Sequence, residues 1–298
     1  MSTDTRRHAI LQVRWGPLAH QKTLIEPGQV LKVGRAPSSK PALAVPHDQD
    51  LAEEQFELSW SGKRGWLHGL PGVPATLLDG EPVEQGEIFN GTWLRAGQTD
   101  FSVYFEKTTP PREPEQPDPP VLVAHKARAL EVLREQKAPL YAIVDAARGE
   151  RILELLHESV EDCHSLYEGP QGVALGEVAP YLVSLPRKDS WLLEALVQEG
   201  WGAHWGVFLT SAAPVLQVRR HLRKFLMVEA EGVEGRLYFR YYDPRVLGAF
   251  LPTSPPEPRK EFFGDIEVFI FNGSNGEVTV ELPSLDGKRP PGRNGTMG

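Results

Sequence analysis

Between Lys107 and Pro120 the chain reads KTTPPREPEQPDPP, a tract with no apolar face at any period. Its six prolines fix φ and withhold backbone donors, and the residues between them are charged or polar. Such composition favours an extended, polyproline-like spacer of limited reach. The tract divides the chain of 298 residues into a first unit at 1–106, a linker at 107–120 and a second unit at 121–282. Each unit has an ordinary domain size. Residues 283–298, PSLDGKRPPGRNGTMG, carry too few apolar side chains to offset the entropy of ordering and read as a frayed tail.

Before the linker, short runs alternate apolar and polar residues. Leu11, Val13 and Trp15 share one face, as do Phe101, Val103 and Phe105. Turn pairs at Pro27-Gly28, Ser61-Gly62 and Asp79-Gly80 separate such runs, which predicts an all-β sandwich. After the linker the rhythm becomes a mixed α/β, or α+β, alternation. Leu130 and Leu133 sit in a helical stretch, Tyr141 to Val144 is a buried-strand run, and Ile152, Leu155 and Leu156 recur at helical spacing. Trp191 to Val197 is apolar almost all round, with Ser190 placed as its N-cap, and Trp205 to Leu209 reads as a strand behind it.

Several function classes fall away on composition and motif. A formal net charge of -8 opposes a role in coating nucleic acid, which needs a basic surface to displace counterions. The single cysteine, Cys163, makes no internal disulfide and no thiolate zinc site. Met1 to Arg14 lacks the apolar stretch of a signal peptide, and no window approaches the length of a membrane span, so a cytoplasmic protein without membrane contact is expected. The residues a hydrolase would use, Ser184, Ser211, His204, His221, Cys163-His164, Asp145 and Asp243, are scattered and form no local catalytic pattern. Neither an enzyme nor a cofactor is expected.

Residues 24–106 resemble a forkhead-associated domain, a sandwich whose loops at one end bind phosphothreonine peptides. Leu31-Lys32-Val33-Gly34-Arg35 looks like that family's strand followed by Gly-Arg, and 51–58 sits where its Ser-x-x-His segment belongs. Thr76-Leu77-Leu78-Asp79-Gly80 resembles its Thr-Phe-Val-Asn-Gly signature. Of the phosphate-facing set only Arg35 is kept. The positions of the serine, the neighbouring arginine and the peptide-holding asparagine read Ala52, Glu53 and Asp79, and the structural histidine reads Gln55. A phosphate needs several charge-assisted donors, and each change removes a donor or adds a carboxylate. A phosphate-independent docking or spacer domain, binding a peptide or protein if anything, is therefore expected in place of a phosphothreonine reader.

Residues 140–271 resemble the conserved domain of adaptor or chaperone proteins that load toxic effectors onto the spike of the bacterial type VI secretion system. The blocks that agree are Leu140 to Ala147, Ala179 to Val183, Gly200-Trp201 with Trp205-Gly206, His221 to Lys224, and Phe239-Arg240-Tyr241-Tyr242-Asp243-Pro244-Arg245-Val246-Leu247. The resemblance implies a non-enzymatic protein whose partners are a secretion effector and the spike protein.

The residues also carry readings of their own. Asp145 ends an apolar strand, where a side chain meets solvent or a partner, caps the following turn or helix, or pairs with a nearby arginine. Arg219, Arg220 and Arg223 lie on a helix opening near Pro214, opposite Val215, Val218, Leu222 and Phe225. They serve either an acidic partner or the helix dipole. Asp243 is placed to cap the helix that Pro244 begins, and Arg240 and Tyr242 point to one side. With Arg245, these residues suit either protein recognition or buried pairing with Asp145 or Asp243.

Overall fold

The computed structural model describes residues 7–112, 116–229 and 235–283, so residues 113–115 of the linker and 284–298 of the expected tail lie outside the described residues. The chain forms two compact units. Of the described residues, one comprises those up to 112 together with 149–164 and 168–177, and the other comprises 116–148, 165–167 and those from 178 onward.

The first unit is the expected all-β sandwich. Its strands are β1 (Ala9–Val13), β2 (Lys22–Ile25), β3 (Val30–Gly34), β4 (Ala42–Ala44), β5 (Phe56–Trp60), β6 (Gly65–Gly69), β7 (Thr76–Leu78), β8 (Glu81–Val83), β9 (Gln85–Ile88), β10 (Trp93–Ala96) and β11 (Thr99–Phe105). They form two sheets, ordered β2-β1-β11-β10-β7-β8 and β4-β3-β5-β6-β9. In β5 the alternation is complete, with Phe56, Leu58 and Trp60 buried and Glu57 and Ser59 half-buried. Phe56 meets Phe101 edge-on across the core, and Trp60 stacks on Phe105. Trp15 departs from the expected pattern: β1 stops at Val13, and the indole lies beyond it, half exposed.

All five residues of β1 are buried, so the strand is covered on both faces. A cover for the second face comes from α2 (Glu150–His157). His157 hydrogen-bonds Gln12 on β1 at 2.9 Å and stacks on Tyr104 of β11 at 4.6 Å. Lys22 donates to the carbonyls of Leu156, Ser159 and Glu161 at 2.6, 2.8 and 3.1 Å, a cation at the helix C-terminus where unpaired carbonyls gather. Glu158 follows the helix and accepts from Asn90 Nδ2 and the amides of Thr108 and Thr109, each at 2.8 Å, fastening the start of the proline tract.

Burial, reinforced by the charges of Lys22, His20 and Arg14, pushes the His157 imidazole down to about 3 from an ordinary 6.5. Between those two values the unfolded chain holds a proton that the folded chain does not. The contribution of neutral His157 to stability is therefore complete above the unfolded value and drains away as pH falls through this window, at up to about 1.4 kcal/mol per pH unit. Urea midpoints at neutral and mildly acidic pH are expected to fall further for the wild type than for His157→Gln; equal falls would contradict this.

The second unit contains α1 (Pro120–Glu135), β12 (Leu140–Asp145), β14 (Pro180–Leu185), α4 (Trp191–Gly200), β15 (Gly206–Ser211), α5 (Val215–Arg223), β16 (Met227–Glu229), β17 (Arg236–Tyr238), α6 (Pro244–Thr253), α7 (Pro256–Phe263), β18 (Ile266–Asn272) and β19 (Val278–Glu281). Strand β13 (Cys163–Ser165) and helix α3 (Gly169–Ala174) fall between β12 and β14 in the chain. The mixed α/β class is as expected. The main sheet runs β14-β12-β15-β18-β19 with antiparallel neighbours, placing β12 inside it with every residue buried. Gly206 permits the close pairing of β15 with β12, since a Cβ there would lie 1.9 Å from the Ile143 carbonyl oxygen. Ser190 caps α4 by accepting from the Leu193 amide at 3.2 Å, and Asp243 caps α6, whose first residue is Pro244. Beneath the helices, Phe262 packs edge-on against Phe225, Tyr241 and Phe250 and stacks on Phe269. At the far end of the proline tract, Asp118 pairs with the buried Lys126 of α1, which also donates to the Gln198 carbonyl at 2.6 Å.

Candidate functional site

Strand β12 ends on Asp145, the 3-10 turn at Ala146–Arg148 follows, and α6 begins after Asp243. These termini bring two buried carboxylates and three guanidinium groups together. Asp145 accepts from Arg240 and lies 3.5 Å from Arg148 Nε. Asp243 accepts from Arg148, from the Arg245 amide at 3.0 Å, and from Arg245 Nε and Nη2 at 3.0 and 2.7 Å, a bidentate pair. Both carboxylates are nearly inaccessible, whereas the side chains of Arg240 and Arg245 are 43% and 56% exposed. Each carboxylate therefore acts as a fixed internal counter-ion that holds an arginine at the surface.

The electrostatics follow from this arrangement. Burial alone would raise the Asp243 carboxyl, but hydrogen bonds from Arg245 and the charges of Arg245 and Arg148 hold it below its ordinary value. Burial likewise opposes the charge on Arg240, and bonding to Asp145 more than offsets that. Nearby, burial and then the charge of Arg245 push His204 downward, and its Nδ1 lies 3.0 Å from Asn272 Nδ2. The Arg240 guanidinium sits 5.9 Å from the Tyr242 ring centre. The Tyr242 hydroxyl donates to Tyr238 at 3.3 Å, and Tyr238 in turn donates to Tyr167 at 2.6 Å. Burial is the main reason the Tyr242 phenol is pushed up to about 12.

Of the sequence-predicted residues, the fold brings Asp145, Arg240, Tyr242, Asp243 and Arg245 together and pairs Arg240 with Asp145. Arg148 is an addition; its signal was a position three residues beyond Asp145, on the turn that leaves the strand. The α5 arginines separate from this group. Arg219 donates to the carbonyls of Ser165 and Tyr167 at 2.7 and 3.1 Å, Arg223 donates to Leu166 at 3.0 Å, and Arg220 is exposed. The hydrolase candidates find other partners: His221 bonds the Phe262 carbonyl and Ser211 the Asp265 carbonyl. Among the described residues no group of His, Cys, Asp or Glu is arranged to hold a metal ion, and no helix is long and apolar enough to cross a membrane.

The loops singled out in the sandwich are held mainly by their own backbone. The amides of Arg35 and Ala36 donate to the carbonyls of Ala52 and Glu53 at 2.8 and 3.0 Å. Gly34 lets these segments meet, since a Cβ there would lie 2.2 Å from the Glu53 oxygen. Arg35 donates to Gln49 at 3.2 Å. Gln55 is fully buried and stitches two loops, accepting from the Ala52 amide at 3.0 Å and donating to the Pro74 carbonyl at 2.6 Å beside buried Thr76. Asp79 accepts from the Trp93 amide at 2.9 Å, so its carboxylate serves its own sheet. Glu53 is exposed. Glu54, which the sequence did not single out, bonds Ser38 and Lys32, and the Ser38 bonds above all hold its carboxyl at about 2. An open cleft of about 480 Å³ runs along Leu70 to Thr76 and Pro82 to Glu84; among the described residues its lining includes a carboxylate and no basic side chain.

No match to the chain was found among curated proteins. Among solved structures the chain is similar to forkhead-associated domains. One comes from a study of phosphothreonine-dependent interactions of such domains, at 20% identity over 35% of this chain and 99% of that one, with a TM-score of 0.30. Another belongs to the CT664 protein of Chlamydia trachomatis, at 15% identity over 33% of this chain and 96% of that one, with a TM-score of 0.30. A third belongs to an Arabidopsis thaliana hypothetical protein, at 18% identity over 38% of this chain and 99% of that one, with a TM-score of 0.31. In the second unit, residues 140–261 match the family described as "Domain of unknown function (DUF4123)", and that span includes Asp145, Arg148, Arg240, Asp243 and Arg245.

Proposed function

We propose that the chain is a non-enzymatic adaptor whose second unit binds a type VI secretion effector and helps load it onto the spike protein. The observation that carries this reading is the pairing of Asp145 and Asp243 with Arg148, Arg240 and Arg245. The ionisable groups best placed for acid–base chemistry are committed to one another, and what reaches the surface is Arg240 and Arg245 on a stiff strand-to-helix junction, with Tyr242 buried. Such a junction suits recognition, because little side-chain freedom is lost on binding. The naming of the partner rests on the resemblance of the blocks from Leu140 to Leu247 to the secretion adaptors. Co-expression of the full chain with an effector and a spike protein encoded beside it is expected to give a complex that survives gel filtration at mild salt. Recovery of the three proteins as separate species would overturn the reading.

In the sandwich, one observation favours a second reading: Arg35 keeps a half-buried guanidinium on the β3–β4 loop. Against it stand exposed Glu53, the self-bonded Asp79 and a neighbouring cleft without a base. A phosphate of charge near -2 needs more donors than one arginine offers. Titration of the full chain with phosphothreonine peptides is expected to show no gain over the unphosphorylated peptides. A clear phosphate-dependent gain would instead make the sandwich a signalling reader.

A further inference from the structure

Strands β16 and β17 form a two-stranded ribbon of their own, in which Met227 stands opposite Tyr238. Cross-strand partners share a face, and here both are open to solvent, Met227 at 42% and Tyr238 at 41%. The exposed Tyr238 hydroxyl accepts from buried Tyr242, over which Arg240 lies, and Asp145, Arg148 and Asp243 link Arg240 to Arg245. The result is a strip with two exposed ends, apolar and aromatic at the ribbon and cationic at Arg240 and Arg245, joined through buried Tyr242.

Two features identify what the strip would hold. The cluster sets three arginines against two aspartates, and the carboxylates are buried while the excess positive charge is exposed. In a chain of net charge -8, this patch attracts a carboxylate that most of the protein repels. In addition, among the described residues the buried Nε of Arg240 has no hydrogen-bond partner. A polyanion such as nucleic acid or an acidic membrane would need a broader basic surface and gain nothing from Met227 and Tyr238. Building on the adaptor reading, we propose that the strip from Met227 and Tyr238 to Arg240 and Arg245 binds an extended segment of the partner protein in which aliphatic and acidic residues alternate, the aliphatic side chains on the ribbon and a carboxylate on the arginines.

The test uses the full chain and fluorescein-labelled peptides of repeating Leu-Thr-Glu-Thr, followed by fluorescence anisotropy. Peptides of Leu-Thr-Gln-Thr and Ser-Thr-Glu-Thr serve as comparisons. The Leu/Glu peptide is expected to bind, and to weaken about tenfold when Glu becomes Gln, when Leu becomes Ser, or in Arg245→Gln or Tyr238→Ser protein. Arg245 and Tyr238 are exposed, and unchanged far-ultraviolet circular dichroism with a cooperative thermal melt verifies the folding of both variants. No binding of the Leu/Glu peptide, equal affinity for the Glu and Gln peptides, or unchanged affinity in Arg245→Gln would overturn the proposal. The effector complex separates this from the wider reading. A complex that forms equally well with wild type and Arg245→Gln refutes the strip alone, whereas the absence of any complex refutes the adaptor role.

Discussion

Replacing Asp145 with alanine is expected to destabilise the full chain by about 3–5 kcal/mol, read as a drop in the urea midpoint at neutral pH. The carboxylate is 1% exposed, accepts from Arg240 and from the Ala147 amide at 3.2 Å, and lies 3.5 Å from Arg148 Nε. Removing it leaves the Arg240 guanidinium, whose Nε is buried, without its counter-ion while Arg148 keeps Asp243, and the cost of that unpaired charge exceeds the net value of the pair itself. Asp145→Asn, which keeps the shape and an acceptor for Ala147, should lose less. Combining Asp145→Asn with Arg240→Gln should cost less than the two single changes added together, because each removes the other's unpaired partner. A loss below about 1 kcal/mol for the alanine variant would mean that the cluster is not the internal counter-ion described above.

Glu158→Ala should have the second largest effect, about 2–4 kcal/mol. This side chain is 3% exposed and accepts from Asn90, from the amides of Thr108 and Thr109, and from the Thr109 hydroxyl at 2.5 Å. Without it these donors depend on whatever water can reach them. The chain at 107–109 would lose its attachment beside the sandwich, so hydrogen exchange at Thr108 and Thr109 should rise together with cleavage of the proline tract by a non-specific protease. Unchanged exchange at those two amides would contradict this assignment.

Local rules made much of the fold readable. The shared core face of Phe101, Val103 and Phe105, the caps Ser190 and Asp243, and Pro244 at a helix start each depend on neighbours a few residues apart, and each took its expected form. The destination of residues 149–164 was a different matter. Ile152, Leu155 and Leu156 announce a helix with an apolar face, but periodicity does not say which core receives it. The contacts that place it on the sandwich join residues far apart in the chain; Lys22 and the Leu156 carbonyl are separated by 134 positions. The charge cluster was legible in part for the same reason. Residue types at Asp145 and at 240–245 marked a stiff junction, yet the choice between pairing with Asp145 and with Asp243 is made by the fold, which gives Asp145 to Arg240 and Asp243 to Arg245. The basic face of α5 shows the converse. Its spacing was read correctly, but Arg219 and Arg223 bond backbone carbonyls, an outcome that sequence spacing does not reveal.

The proposed function is that the second unit works by binding a protein for export and not by turnover. Effector discharge into the medium tests it most directly, compared between cells lacking this chain and cells given it back in wild-type form. The account predicts that discharge of the cognate effector stops without the chain and returns with it, while unrelated effectors continue to leave the cell. Discharge that continues at the same level in the absence of the chain would contradict it.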